Sequence, residues 1–316
     1  MPSTARGRIL LSTSSFEPDR WRALLSADRD VVLEPDGPND PDIDYAVVWK
    51  HRHGVLSRLP NLKIIFSVGA GVDHIFADPD LPNVPVVRVV AENLTQRMTE
   101  YIVWRVLDHH RQGMTYRTQQ AGRIWDDPSQ PVSGEVAVGI MGLGELGRAA
   151  AQALLPLGFR IKGWTRKQSA MAGVDCFCGT DGLRPFLAAT DILVVLLPHT
   201  PATEGIIDYG LLSGLNRNGP LGGAVLINAG RGKLQREADI VRALDDGTLK
   251  EASLDVFEEE PLPAASPLWE HPRVFITPHT AATSDAAHLV PSMLEQIERF
   301  ERGEPLANLV DRGAGY

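Results

Sequence analysis

Three short stretches of the chain carry side chains that could do chemistry, and each closes an apolar run. They are Ile227 to Gly232 (INAGRG), Leu254 to Pro263 (LDVFEEEPLP) and Ile276 to Ala281 (ITPHTA). In order they supply an arginine, Arg231, a run of carboxylates, Glu258 to Glu260, and a histidine, His279. Open α/β sheets place their ligands beyond the carboxyl ends of such strands. The three residue types suit hydride transfer to a 2-keto acid. A guanidinium grips the substrate carboxylate and polarises the adjacent carbonyl. An imidazole gives the oxygen its proton as the hydride arrives, and a neighbouring carboxylate keeps that imidazole protonated. A lone arginine or histidine is usually a solvated surface residue. His279 differs because it follows a strand and a proline, in register with the other two stretches.

A second set of residues reads as a dinucleotide site. The turn GLGELG places Gly142, Gly144 and Gly147, with Leu143, Glu145 and Leu146 between them, in the spacing G-x-G-x-x-G. The first glycine permits a tight turn, the second lets a pyrophosphate approach the backbone, and the third lets helix and strand pack closely. Free N–H groups and the helix dipole attract the phosphates. Alone, the six-residue pattern occurs by chance, with a bland packing turn as the alternative; the strand before it and helix after it give it weight. Trp164 lies 22 positions beyond Gly142, where many such units carry an acid that holds the adenosine ribose. Here the stretch is GWTRK, with Trp164, Thr165, Arg166 and Lys167, and the next acid, Asp175, is too far along.

A 2′-phosphate accounts for these two bases, since NADP carries one and NAD does not. Arg166 offers a planar fork and Lys167 a point charge. An aspartate there would repel the phosphate by up to about 4 kcal/mol per charge pair 4 Å apart at an effective dielectric near 20. NADP(H) is the expected cofactor and NAD(H) the second choice. The alternative makes both bases solvated loop residues.

These residues need a scaffold, and alternating strand and helix patterns supply it. RILLS, VVLEP, DYAVVW, LKIIFSV and VPVVRVV read as strands in the first 90 residues, with PDRWRALLSA and GVLSRL as helices between them. From Glu135 a second series follows: EVAVGIM, FRIKGWT, DILVVLLP, AVLIN, EASLDVF and VFITP, separated by helical stretches. Runs so rich in Val, Ile and Leu suit parallel strands buried on both faces. Residues 95–122 read as one long connecting helix and residues 285–303 as another, interrupted near Pro291.

Composition bounds the rest. A chain of 316 residues with 43% hydrophobic content is long enough for two packed cores. A net charge of −9 argues against a nucleic-acid or anionic-membrane partner. Cys176 and Cys178, without a nearby His/Cys partner pattern, make no zinc site and read as reduced thiols of a cytosolic chain. No run approaches the roughly 18 apolar residues of a membrane span, and MPSTARGRILLSTSS lacks a signal-peptide core. The expected location is cytoplasmic, with no metal.

Jointly, these motifs resemble the D-isomer-specific 2-hydroxyacid dehydrogenase family, most closely its glyoxylate/hydroxypyruvate reductase A branch. The resemblance runs from VGAGVDHI through GIMGLGELG, INAGRG, LDVFEEEPLP and PLWEHPRVFITPH to GEPLANLVDRGAGY. Carried over position by position, it implies that Arg231 binds substrate, His279 is the general acid/base, and Glu260, rather than Glu258 or Glu259, orients it. Val68, Gly69, Ala70 and Gly71 match the loop whose backbone N–H groups hold the substrate carboxylate. Asp255 matches a position near the nicotinamide carboxamide. Leu197, Pro198, Asn228 and Ala229 fall at strand ends beside the cofactor. His199, where the family more often has an uncharged residue, is a cofactor neighbour and not the acid. Trp49, ending YAVVW, is a candidate for lining the substrate pocket, with an ordinary core tryptophan as the alternative.

The implied fold is α/β, with two doubly wound parallel-sheet domains. A Rossmann-type nucleotide domain (98–282) is inserted in a flavodoxin-like substrate domain (1–97 plus 283–316), and the cleft closes to exclude water. The long connector and RIWDDP resemble the family's dimer-forming segment, with Trp125 reaching toward a neighbour, so a homodimer is expected. The implied reaction is NADPH-dependent reduction of a small-molecule 2-keto acid, glyoxylate or hydroxypyruvate, to the 2-hydroxy acid. The rivals are a same-family reductase for a bulkier acid, such as phenylpyruvate or 2-ketogluconate, and a nucleotide-sensing, corepressor-like binding protein. The presence of Arg231, Glu260 and His279 together speaks against the last.

Overall fold

The computed structural model describes residues 7–13, 18–34, 40–88 and 92–313. The chain divides into two compact units, Met1–Leu94 with Ser284–Tyr316, and Thr95–Thr283. The expected strands VVLEP and VPVVRVV extend at Pro35 and at Val89–Val90 outside the described residues.

In the first unit the chain runs β1 (Arg8–Thr13), α1 (Asp19–Leu25), β2 (Val31–Leu33), β3 (Ile43–Trp49), β4 (Ile64–Ser67), α2 (Asp73–Phe76) and β5 (Val86–Arg88). Among the described residues these strands form one parallel sheet in the order β2-β1-β3-β4-β5, the flavodoxin-like winding. GVLSRL, which reads as a helix, makes only a 3-10 turn at Leu56–Arg58. Leu56 and Leu59 are buried there, but the stretch is too short to repay a helical nucleus.

The second unit continues through α3 (Glu92–His110), α4 (Gly113–Gly122), β6 (Ala137–Met141), α5 (Glu145–Leu154), β7 (Arg160–Thr165), β8 (Val174–Cys178) and α6 (Gly179–Ala188). It goes on with β9 (Ile192–Val195), α7 (Tyr209–Ser213), β10 (Ala224–Asn228), α8 (Glu237–Asp245), β11 (Leu249–Leu254) and β12 (Val274–Ile276). The sheet order is β12-β11-β10-β9-β6-β7-β8, parallel throughout. Strand alternation sends Ile192, Val194, Val225 and Ile227 into one core cluster and Leu193, Val195, Ala224 and Leu226 into the other. Both faces are covered by helices, which is why these strands read as unbroken apolar runs.

Three further elements differ from the sequence reading. The stretch 95–122 is two helices, because Gln112 adopts a left-handed conformation (φ 56°) between them. The Asp108 carboxylate occupies the place a Cβ on Gly113 would take, at 2.1 Å, and binds Arg117 through two hydrogen bonds. VDCFC is an edge strand, with Phe177 packed on one core and Cys176 on the other. Its polar and sulfur residues hide the alternation.

The final helix, α9 (Ala286–Glu301), runs through Pro291 without a break. One backbone bond is forgone, while Leu289, Val290, Met293 and Ile297 stay in the core of the first unit with Ile9, Leu11 and Trp21. At its end Glu301 takes two hydrogen bonds from Arg29, at 2.8 and 2.9 Å, and one from the Tyr45 hydroxyl at 3.0 Å. The Arg29 side chain is 1% exposed and the Glu301 side chain 38%. Breaking a fully buried pair costs about 3–5 kcal/mol. With solvent at the Glu301 side, and Asp28 still 3.3 Å from Arg29, Glu301→Ala is expected to destabilise the first unit by about 2 kcal/mol. Equilibrium urea unfolding checks this as a lowered midpoint.

Candidate active site

Strand order reverses between β6 and β9, since the chain first winds outward to β7 and β8 and then back to β9 and beyond. Ligands bind at such a switch point, outside the carboxyl ends of the strands. The glycine-rich turn leaves β6 at this place. Gly142 has φ +103°, and a Cβ on it would lie 2.8 Å from the Leu196 carbonyl oxygen. A Cβ on Gly147 would meet the Gly142 carbonyl oxygen at 1.9 Å. Around Gly144, by contrast, a Cβ would meet nothing within 4 Å. The protein itself does not demand a glycine there, and the vacant approach is what a pyrophosphate needs. Gly144 is also the N-cap of α5, with no side-chain cap, so the first-turn N–H groups face an anion site. Leu143 and Leu146 pack into the core and Glu145 is exposed.

Beyond β7, Thr165 Oγ1 donates to the Lys167 carbonyl at 2.5 Å, and Arg166 and Lys167 are exposed. Trp164 is a core residue, its indole N–H donating to the Gly179 carbonyl at 2.9 Å. Leu197 packs in the same core. The Pro198 carbonyl accepts from Thr203 Oγ1 at 2.7 Å, and His199 lies 3.7 Å from Glu204.

Arg231 stands between β10 and a 3-10 turn, its Nη1 donating to the Gly230 carbonyl at 2.8 Å. Buried Asn228 braces this loop: its Oδ1 accepts from Gly230 N at 3.0 Å and its Nδ2 donates to the Arg231 carbonyl at 3.2 Å. Asn228 also donates to Gln235 at 2.8 Å, and Gln235 donates onward to the Val256 carbonyl at 3.0 Å. Ala229 is buried beside it. A Cβ on Gly232 would strike the Phe257 carbonyl oxygen at 1.7 Å, so the loops after β10 and β11 touch backbone to backbone.

Of the glutamates, Glu260 meets the histidine. Its Oε2 lies 2.9 Å from His279 Nδ1 and its Oε1 accepts from Phe257 N at 3.2 Å. Glu258 instead pairs with Glu237 through reciprocal backbone-to-carboxylate bonds of 2.6 and 2.8 Å. The contact uses Nδ1, so Nε2 lies on the side of the ring away from Glu260.

His279 itself has φ +53°, a left-handed conformation that costs a non-glycine residue about 1–3 kcal/mol. Asp255 enforces it. Its carbonyl accepts from His279 N at 2.8 Å, and its carboxylate accepts from Thr277 Oγ1 (2.6 Å), Thr280 N (2.8 Å) and Ala281 N (3.0 Å). Burial pushes this carboxyl above its ordinary range, against the pull of those bonds. Tyr101 on α3 adds a hydroxyl contact to Thr277 at 2.9 Å. Further along α3, fully buried Arg105 donates to Ser253 at 2.9 Å, lies 3.8 Å from the centre of the Phe275 ring and pairs with Asp108 at 3.1 Å. His109 bridges Glu251 (2.5 Å) and Ser253 (2.7 Å), and burial lowers its affinity for a proton. Sequence reasoning placed Arg105 and His109 along one side of the long connector without assigning them a role, and singled out none of Tyr101, Gln235 or Thr277. Buried polar side chains carry no periodic signal.

In the first unit, Trp49 meets the Val68–Gly71 loop. A Cβ on Gly69 would lie 2.4 Å from the Trp49 ring, which also packs on His74 with centroids 4.5 Å apart. Val68 is buried, Ala70 and Gly71 are partly exposed, and Ser67 Oγ donates to the Gly71 carbonyl at 2.8 Å.

A parallel sheet with a glycine-rich turn at its switch point, and an arginine and a carboxylate–histidine pair at neighbouring strand ends, is the layout of a dinucleotide-dependent dehydrogenase. The chain belongs to the D-isomer specific 2-hydroxyacid dehydrogenase family, whose NAD binding domain matches residues 103–281. It is 41% identical over 288 residues to glyoxylate/hydroxypyruvate reductase A of Escherichia fergusonii, covering 89% of each chain. Its fold is similar to that of the NADPH-dependent glyoxylate/hydroxypyruvate reductase from Sinorhizobium meliloti in complex with NADP and sulfate. There the TM-score is 0.93 at 45% identity, over 98% of this chain and 100% of that one. A D-isomer specific 2-hydroxyacid dehydrogenase from Xanthobacter autotrophicus, in complex with NADPH and MES, gives 0.92 at 40% identity, over 99% and 100%.

The glycines yield a paired prediction. Gly144→Ala should unfold at the same temperature as the parent yet bind dinucleotide at least about tenfold more weakly. Gly147→Ala should lose about 1–3 kcal/mol of stability through overpacking. Thermal unfolding with and without added nucleotide checks both.

Proposed function

We propose that this chain uses NADPH to reduce small 2-keto acids, glyoxylate and hydroxypyruvate foremost, to 2-hydroxy acids. The observation that carries the reading is the 2.9 Å contact between His279 and Glu260 on a turn over-determined by Asp255. Arg231 binds the substrate carboxylate and polarises the keto oxygen. His279 gives its Nε2 proton to that oxygen, and Glu260 holds the ring in the correct tautomer. When bound, the reduced nicotinamide supplies the hydride. The turn Gly142–Gly147 would hold the pyrophosphate and Arg166 and Lys167 the 2′-phosphate, while Asn228 and Asp255 brace the loops that carry Arg231 and His279. NADP or NADPH in the two related structures supports this cofactor.

The same reading makes the protein a cytoplasmic homodimer. Exposed Trp104 (48%), Ile124 (57%), Trp125 (102%) and Val132 (67%) support self-association through the segment around them, and two free cysteines suit a reducing compartment.

Purified protein should oxidise NADPH with glyoxylate and hydroxypyruvate faster than with phenylpyruvate or 2-ketogluconate. No turnover with any short 2-keto acid would overturn the reading. His279→Ala should lower kcat by about 10²–10⁴ while NADPH still binds. Arg166→Asp should move preference toward NADH, and unchanged NADPH selectivity would place the clamp elsewhere.

A further inference from the structure

We propose that Arg148 is the positioning residue that sets the 2′-phosphate loop against the glycine-rich turn. Selectivity for NADP(H) then depends on a side chain outside the Arg166–Lys167 pair. The inference rests on reading residues 165–167 as the 2′-phosphate site.

Arg148 lies on the first turns of α5, and its backbone N–H donates to the Gly144 carbonyl at 2.9 Å. Its side chain folds away from the helix and spans two loops. Nε donates to the Leu143 carbonyl at 3.0 Å, inside the glycine-rich turn. Nη2 donates to Ser169 Oγ at 2.6 Å and Nη1 to the Ala170 carbonyl at 3.3 Å, both in the loop after β7. A cation at a helix N-terminus works against the helix dipole, so helix stability does not explain this placement. The planar fork does, because one guanidinium fixes the separation and angle of two backbones, and an ammonium could not.

The loop between these anchors is short. Its near end is closed by the Thr165 hydroxyl on the Lys167 carbonyl, and its far end is Ser169–Ala170 on Arg148. The glycine-rich turn is itself seated on β7, where a Cβ on Gly163 would lie 2.4 Å from the Leu143 side chain. Arg166 and Lys167 therefore project from a segment held at both ends, at a set distance from the pyrophosphate turn. A phosphate clamp held this way loses less freedom on binding than one on a loose loop.

The test compares 2′,5′-ADP with 5′-ADP by titration calorimetry on the intact protein. In Arg148→Met, which keeps the apolar stem, the preference for 2′,5′-ADP should fall about tenfold, the scale of losing charge-assisted hydrogen bonds. The NADPH to NADH ratio of kcat/KM should fall in parallel, and Arg148→Lys should recover only part of it. Ser169→Ala, which removes the 2.6 Å contact alone, should shift the preference in the same direction by less; it decides the matter if Arg148→Met does not fold. Equal weakening of both nucleotides, or no change in either variant, overturns the role of Arg148. A parent protein that binds both nucleotides equally overturns the 2′-phosphate reading instead.

Discussion

The candidate chemistry depends on one buried carboxylate. Asp255 is 1% exposed, yet three donors from the segment after β12 converge on its side chain, and its own carbonyl takes the His279 N–H. A charge so far from water is costly unless its lone pairs are filled. Here the filling groups are the backbone of the turn that aims the histidine. The carboxylate and the turn support each other: without the turn the carboxylate is unsatisfied, and without the carboxylate the turn carrying His279 loses three of its hydrogen bonds.

The apolar skeleton was legible in the sequence because both sheets are parallel and buried on both faces. Val/Ile/Leu runs such as AVLIN and DILVV declare such strands directly, and the glycine-rich turn sits where strand and helix patterns meet. What escaped was edge and corner structure. VDCFC hides its alternation behind an aspartate and two cysteines, and the corner at Gln112–Gly113 is set by a side chain five residues back, Asp108. Pro291 misled in the other direction, since local propensity predicts a break that the core contacts of α9 override.

The candidate site was legible to a different depth. Arg231, Glu260 and His279 stand out by type and register, and the geometry separates Glu260 from Glu258 through the competing partner Glu237. Trp164 occupies the position where an acid is common, but its side chain turns inward to the core, so the exposed residues after it carry the charge. The brace Asn228–Gln235 spans seven residues and Asp255–Thr277 spans 22, and neither follows a helix or strand period. Only three-dimensional structure brings them together.

The polar stripe on α3 has a consequence for assembly of the fold. Met98, Ile102 and Val106 make an apolar seam of similar residues, which by itself tolerates sliding along the sheet. Arg105 and His109 do not, because their partners Ser253, Glu251 and Phe275 are fixed on β11 and β12. A slip of one residue moves the helix about 1.5 Å along its axis and turns it by about 100°. That would strand a buried guanidinium against apolar neighbours, a loss on the order of 3–5 kcal/mol. The stripe acts as a key: the hydrophobic seam brings the helix to the sheet, and the buried polar partners admit one register.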